Sequence, residues 1–240
     1  MEFHRLICVF VFILGYCSLQ SQQNLFNVPS SDITVKKKIF FQQQLNITET
    51  IQSNTNFCYG LGNGMEIGAN VIGLQTDGRR FYTNEDLGNG SISPLLLSTF
   101  QKAFHITKHT FLGIGTELGT NLIKSEVKNS FLANFTYLNS KTELLNDKLK
   151  IIGGVYYSNT AYNGVNSTIG IMMGYEYSLS KKIHFVGDWT SGDNYIGVGV
   201  LGGMYYVTKD FPISLGLQIP NNSEKNQYGA VLEFTYVPND

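Results

Sequence analysis

Four side chains in the second half of the chain are of types that could do chemistry together: Lys150, Glu176, His184 and Asp188. An acid–base pair needs its two groups within hydrogen-bond reach. His184 and Asp188 are four residues apart, so on an extended strand they share a face but stand about 13 Å apart. That spacing does not make a catalytic pair. His105 and His109 supply two imidazoles in a turn, but the neighbourhood offers no further plausible ligand for a tetrahedral site. No metal and no cofactor is therefore expected. Charged groups that line one interior need no such pairing, because a ring of them already selects solutes by charge. Glu66, Glu117, Lys150, Glu176, His184, Asp188 and Glu233 form such a set if the elements turn them all the same way. The competing reading is that they neutralise one another inside a polar interior.

Those elements are strands. In "IGIMMGYEYSL", Ile169, Ile171, Met173, Tyr175 and Tyr177 alternate with Gly170, Met172, Gly174 and Glu176. Strict period-two alternation belongs to a strand with two unlike faces. The same alternation recurs over 39–48, 54–60, 65–74, 93–104, 110–122, 130–139, 148–157, 166–178, 183–191, 195–206, 211–219 and 227–237. This gives about twelve strands of roughly ten residues, the length a tilted strand needs to cross a bilayer. A hairpin centred on Ser180 would set Tyr177 opposite Ile183, Tyr175 opposite Phe185 and Glu176 opposite His184, with like faces together. Short turns at 61–64, 105–109, 180–182 and 207–210 alternate with longer connections, "SKTELLND" being long for its side. Leu95–Leu97 and "YIGVGVLGGMYY" leave the facing of two strands open.

Ends and composition narrow the setting. The opening "MEFHRLICVFVFILGYCSLQSQQ" has the basic, apolar and small-residue order of a secretory signal peptide, assigned to residues 1–21. Residues 22–36 read as an irregular segment and 37–240 as one barrel. Loss of the signal leaves Cys58 alone, without a disulfide framework. Net charge is −1, which gives no basic footprint for nucleic acid. Gly (25), Tyr (14) and Phe (16) are frequent while charged residues make up 15 %, a mixture suited to glycine-spaced, aromatic-rich strands.

The unlike faces must meet unlike surroundings. One carries Ile, Leu and Val, with aromatics at the ends, among them Tyr59, Phe111, Tyr137, Tyr175, Phe185, Trp189 and Tyr236. Aromatic girdles at two interfaces mark membrane barrels. The other face carries Gly113, Gly115, Glu117, Gly119, Ser214, Gly216 and Gln218, a poor soluble core with costly buried charge. The expected fold is an all-β, antiparallel up-and-down transmembrane β-barrel of about 12 strands, apolar face outward, both ends periplasmic. On this reading Ile171→Arg costs about 2–4 kcal/mol and Gly174→Ser little.

The signal peptide, "NVPSSDITVKKKIFFQQQLNI", the hairpin "YGLGNGMEIGANV" and the segment "DWTSGDN" resemble small outer-membrane β-barrel proteins of Bacteroidota-type Gram-negative bacteria. The resemblance spans nearly the whole mature chain. It implies a fold and an outer-membrane location reached after signal cleavage, and no catalytic residues. Expected partners are outer-membrane lipid, the barrel-assembly machinery and small polar solutes, with no nucleic acid. The functional expectation is a narrow porin-like passage whose mildly acidic lumen would prefer cations. A plugged structural or partner-binding envelope barrel is the alternative, and a soluble secreted β-barrel for a small ligand stands behind it. An enzyme is not expected, a barrel-embedded hydrolase being the variant of that idea. The loop bearing Arg79, Arg80, Phe81 and Tyr82 is a candidate extracellular constriction or binding surface.

Overall fold

A computed structural model describes residues 24–82, 94–122, 132–164 and 166–238. The assigned signal peptide lies outside the described residues. Among the described residues, thirteen strands form one antiparallel sheet: β1 (Ile39–Ile47), β2 (Ile51–Gly62), β3 (Met65–Thr76), β4 (Phe81–Tyr82), β5 (Leu95–His105), β6 (Thr110–Asn121), β7 (Ala133–Leu144), β8 (Leu149–Ser158), β9 (Ile169–Ser178), β10 (Ile183–Thr190), β11 (Val198–Thr208), β12 (Phe211–Pro220) and β13 (Gly229–Tyr236). Neighbours in sequence pair with one another, β3 pairs with β5, and β1 pairs with β13 to close the ring. Two-residue β4 is a short spur on the end of β3, so twelve strands make the wall. Closure removes free strand edges, which is how an antiparallel sheet satisfies its backbone without water. A short helix α1 (Thr160–Asn163) sits in the β8–β9 connection, capped by the Asn159 side chain.

The alternation in the sequence is the alternation of the wall. On β9, Ile169 through Tyr177 at odd positions are exposed, while Met172, Gly174 and Glu176 are buried. Outward positions elsewhere carry Ile67, Ile114, Leu138, Val155, Leu201, Leu215 and Leu217, all exposed, which makes an apolar belt around the barrel. The two ambiguous strands resolve: Leu95 and Leu97 face in and Leu96 out on β5, while Val200, Met204 and Tyr206 face in on β11.

Three details differ from the sequence reading. The β9–β10 hairpin pairs Phe185 with Tyr177 and His184 with Ser178, a two-residue offset from the expected pairing. Because side chains alternate with period two, that offset preserves both faces. "SKTELLND" is mostly strand: β7 runs to Leu144, and the turn is confined to residues between β7 and β8, where Leu145, Asn146 and Asp147 adopt positive φ. Its polar Lys141 and Glu143 imitate a loop because they sit at the end of a polar interior. Finally, Tyr137 is buried and faces inward, as does Phe111, which shares the parity of buried Gly113 and Gly115. Neither belongs to an interfacial girdle; both serve the interior.

Candidate functional site

The lumen is filled by the chain's own N-terminal segment. Residues 24–36 enter beside the short-turn end, where Lys36 bridges to Gly60, and climb inside the barrel to a tight turn. At that turn Leu25 N–H donates to the Val28 carbonyl at 3.0 Å, and Asn24 pairs with Pro29. Leu25, Phe26 and Val28 are essentially inaccessible and pack against Phe135, Tyr137, Ile152, Tyr156, Met172, Val186, Val200, Met204, Tyr206 and Val231. These wall residues come from β7 through β11 and from β13, so the apolar plug packs on half of the twelve wall strands. Burial of each such side chain contributes about 1.5–3 kcal/mol relative to exposure.

Interior glycines make room for this segment. A Cβ on Gly174 would run into the Leu25 side chain, and one on Gly216 would come within 2.9 Å of the Phe26 ring. A Cβ on Gly60 would strike the carbonyls of Thr34 and Val35. The glycine-rich inner face is thus shaped to a peptide rather than left as an open bore.

Polar latches hold the rest of the plug to opposite walls. Asp188 accepts the backbone N–H groups of Asn27 and Val28, the second at 2.8 Å. Gln101 donates to the Ser30 carbonyl at 2.7 Å and accepts from the Tyr137 hydroxyl at 2.6 Å. Asn139 donates to the Pro29 carbonyl and accepts from Ser31 at 2.8 Å. Lys141 pairs with Asp32 and with Glu143, the latter at 2.8 Å, and its ammonium sits 4.3 Å from the centre of the Phe111 ring. Glu66 accepts both the backbone N–H and the hydroxyl of Thr34, at 2.7 and 2.8 Å.

The seven charged candidates therefore fall into three groups. Glu66 and Asp188 bind the plug. Lys150, Glu176 and His184 come together below it: the Lys150 ammonium is 3.5 Å from Glu176, whose other oxygen is 2.6 Å from His184 Nδ1. Glu117 and Glu233 stand apart. Glu117 accepts from Asn70 at 3.0 Å and Tyr162 at 3.2 Å, and Glu233 accepts from Ser214 at 3.3 Å. Burial and the nearby Glu117 carboxylate push the Tyr162 phenol well above its usual range, so it stays a donor. The sequence reading omitted Lys141, Gln101, Asn139 and Asp32. Odd spacing from the apolar, outward Leu138 along β7 could have placed Asn139 and Lys141 inside, but nothing in residues 24–36 announces a plug.

Two chemistries can be weighed against this geometry. Ser178 approaches His184 at 3.4 Å, which with Glu176 assembles a serine, a histidine and a carboxylate. Both partners address the same nitrogen, Nδ1, whereas a nucleophile relay needs them on opposite ring nitrogens. At the short-turn rim, His109, Glu143 and Asp147 place one ligand atom each within 4.8 Å of the others. Glu143 there is already shared with Lys141. His105 instead packs edge-on against Phe111. Of the loop candidates, Arg79, Arg80 and Phe81 are exposed beside β4; their N–H groups at 79 and 80 donate to the Asp77 carboxylate. The Tyr82 backbone pairs with Gln75.

A closed, twelve-stranded antiparallel barrel with an apolar exterior and a filled lumen is the class that fold and interior define: the outer-membrane β-barrel fold. Among solved structures, the chain is similar to a KdgM porin in complex with disordered oligogalacturonate, at 8 % identity and a TM-score of 0.55, over 83 % of this chain and 99 % of that one. It is also similar to outer membrane phospholipase A from Escherichia coli (12 % identity, TM-score 0.44, covering 91 % and 93 %). A third is the outer membrane channel DcaP of Acinetobacter baumannii (9 % identity, TM-score 0.37, covering 92 % and 69 %). No protein-family model and no curated protein matches the chain. The likeness to the KdgM porin speaks for the fold alone.

Proposed function

We propose that this chain is an outer-membrane barrel shut by its own N-terminal segment, acting as a closed, ligand- or partner-binding envelope protein. The observation that carries this is the packing of Leu25, Phe26 and Val28 against wall residues of β7 through β11 and β13. The apolar belt supports lipid as its surroundings, since so large a continuous apolar surface is unstable in water. Signal cleavage near residue 21, delivery by the barrel-assembly machinery and kinship with the Bacteroidota-type barrels belong to the same reading. No enzymatic role is part of it. Arg79, Arg80, Phe81 and Tyr82 would stand at the extracellular rim, where a partner could reach them.

A porin-like passage for small polar solutes is the second reading, and one observation favours it. Cavities of about 240 Å³ and 460 Å³ lie at the two ends of the plug. Much of what separates them is held by polar latches that could exchange with water. Oligogalacturonate, with which the KdgM porin is named, is polyanionic. The interior here sets Glu66, Glu117, Glu176, Asp188 and Glu233 against Lys141 and Lys150, so we do not extend that ligand to this chain. Proteoliposomes carrying the refolded protein should exclude arabinose in a swelling assay. The double variant Lys141→Ala/Asp188→Ala, lacking a latch on each side of the plug, should admit it. Swelling by the unmodified protein contradicts the closed reading.

A further inference from the structure

The outer of the two cavities has an unusual lining. It lies between the plug tip, Phe26 and Asn27, and the long-loop rim, and Asn and Gln are its commonest residues. Among the described residues, Glu117 is the only Asp, Glu, Lys, Arg or His that lines it, and that carboxylate is occupied by Asn70 and Tyr162. Several amides are tied to one another or to backbone: Gln44 donates to Asn46 at 2.8 Å, and Asn54 accepts the Gly73 N–H at 2.9 Å. Others are not. The Gln42 Nε2 donor and the Asn70 Oδ1 acceptor are buried without a partner, whereas the Asn27 side chain is turned to the Asp188 carboxylate. Gln42 and Asn70 are 4 % and 7 % exposed.

An unmet donor and an unmet acceptor in one cavity are costly unless a ligand supplies both functions. A hydroxyl group does so, because it donates and accepts at once. An anion would satisfy the Gln42 donor but leave Asn70 unmet and face the Glu117 carboxylate. A cation would leave Gln42 unmet. Apolar surface is present too, from half-buried Ile72, Tyr162, Tyr195 and Ile196, while the Phe135 ring is already stacked by Tyr156 and Tyr162. Such surface suits the C–H face of a pyranose. We propose that this vestibule binds an uncharged sugar unit, either a monosaccharide or the end of a longer neutral glycan. About 240 Å³ falls somewhat below the usual span of drug-sized pockets and suits a single-ring ligand.

The inference rests on the closed reading, because plug residues Phe26 and Asn27 form the vestibule floor. The test is binding to the full mature chain refolded in a sugar-free amine-oxide detergent, with galactose and galacturonate as probes differing only in the carboxylate. Isothermal titration or saturation-transfer NMR should give a millimolar Kd for galactose. Galacturonate should bind at least about tenfold more weakly, and Gln42→Leu should weaken galactose about tenfold through its lost donor. The charge comparison is read on the unmodified chain, so it stands even if that variant does not refold. No galactose binding at about 100 mM, or galacturonate binding as tightly, overturns the inference. Parallel conductance measurements separate the two failures. A silent barrel that binds no sugar loses only this site, whereas an open barrel loses the floor on which the site depends.

Discussion

Asp188 and Glu176 are both buried interior carboxylates, yet the structure gives them different work. Asp188 accepts two consecutive backbone N–H groups of the plug turn, so removing it strands two buried donors. Asp188→Ala should lower unfolding stability by about 1–3 kcal/mol, read from urea titration of the refolded barrel. Asp188→Asn, which keeps one acceptor oxygen, should lose less. Glu176 instead compensates Lys150 and holds His184. Glu176→Ala leaves an ammonium buried without its counter-charge, a loss of about 3–5 kcal/mol by the same titration. Replacing Lys150 and Glu176 together by Leu should recover much of that loss; a double variant as unstable as the single one would contradict the ion-pair assignment.

At the scale of strands, the two faces of β9 respond to different neighbours. Met173 lies mid-strand on the exposed face, so the cost of about 2–4 kcal/mol in lipid belongs to Met173→Arg; Ile171, to which the alternation alone gave that cost, lies nearer the rim and Ile171→Arg should cost less. A comparable drop for both in bilayer refolding titrations would contradict the depth assignment. The inner face needs a correction. From the alternation alone Gly174→Ser is tolerable, because the position faces a polar lumen. In the structure that lumen is occupied at Gly174 by Leu25, and at Gly216 by Phe26. Gly174→Ser and Gly216→Val should therefore dislodge the plug tip, seen as faster proteolysis within residues 24–36 while the barrel core stays resistant. Unchanged cleavage would mean that the segment does not sit on those glycines. The lesson is specific. Period two made the wall legible, including the inward parity of Glu66, Glu176 and Asp188. A segment without regular structure has no period, so "NVPSSDITVKK" showed its proline and serines but not its place. Without it, the inward aromatics Tyr137 and Phe111 looked like girdle residues.

For the whole molecule, the fold is a closed barrel whose glycine bed, apolar wall patch and polar latches all converge on one internal peptide. Twelve strands alone do not decide between a bore and a filled interior. What decides is the fill, and that was not readable from strand count or charge. A closed lumen makes the net acidity of the wall a matter of plug and pair chemistry. It makes the two end cavities vestibules, and places any ligand recognition at the long-loop side. The most direct test is single-channel recording of the refolded mature protein in a planar bilayer, beside a variant lacking residues 24–36. The account predicts insertion without steady conductance for the intact chain and an open, ohmic channel for the shortened one. Steady conductance from the intact chain, equal to that of the shortened one, would contradict it.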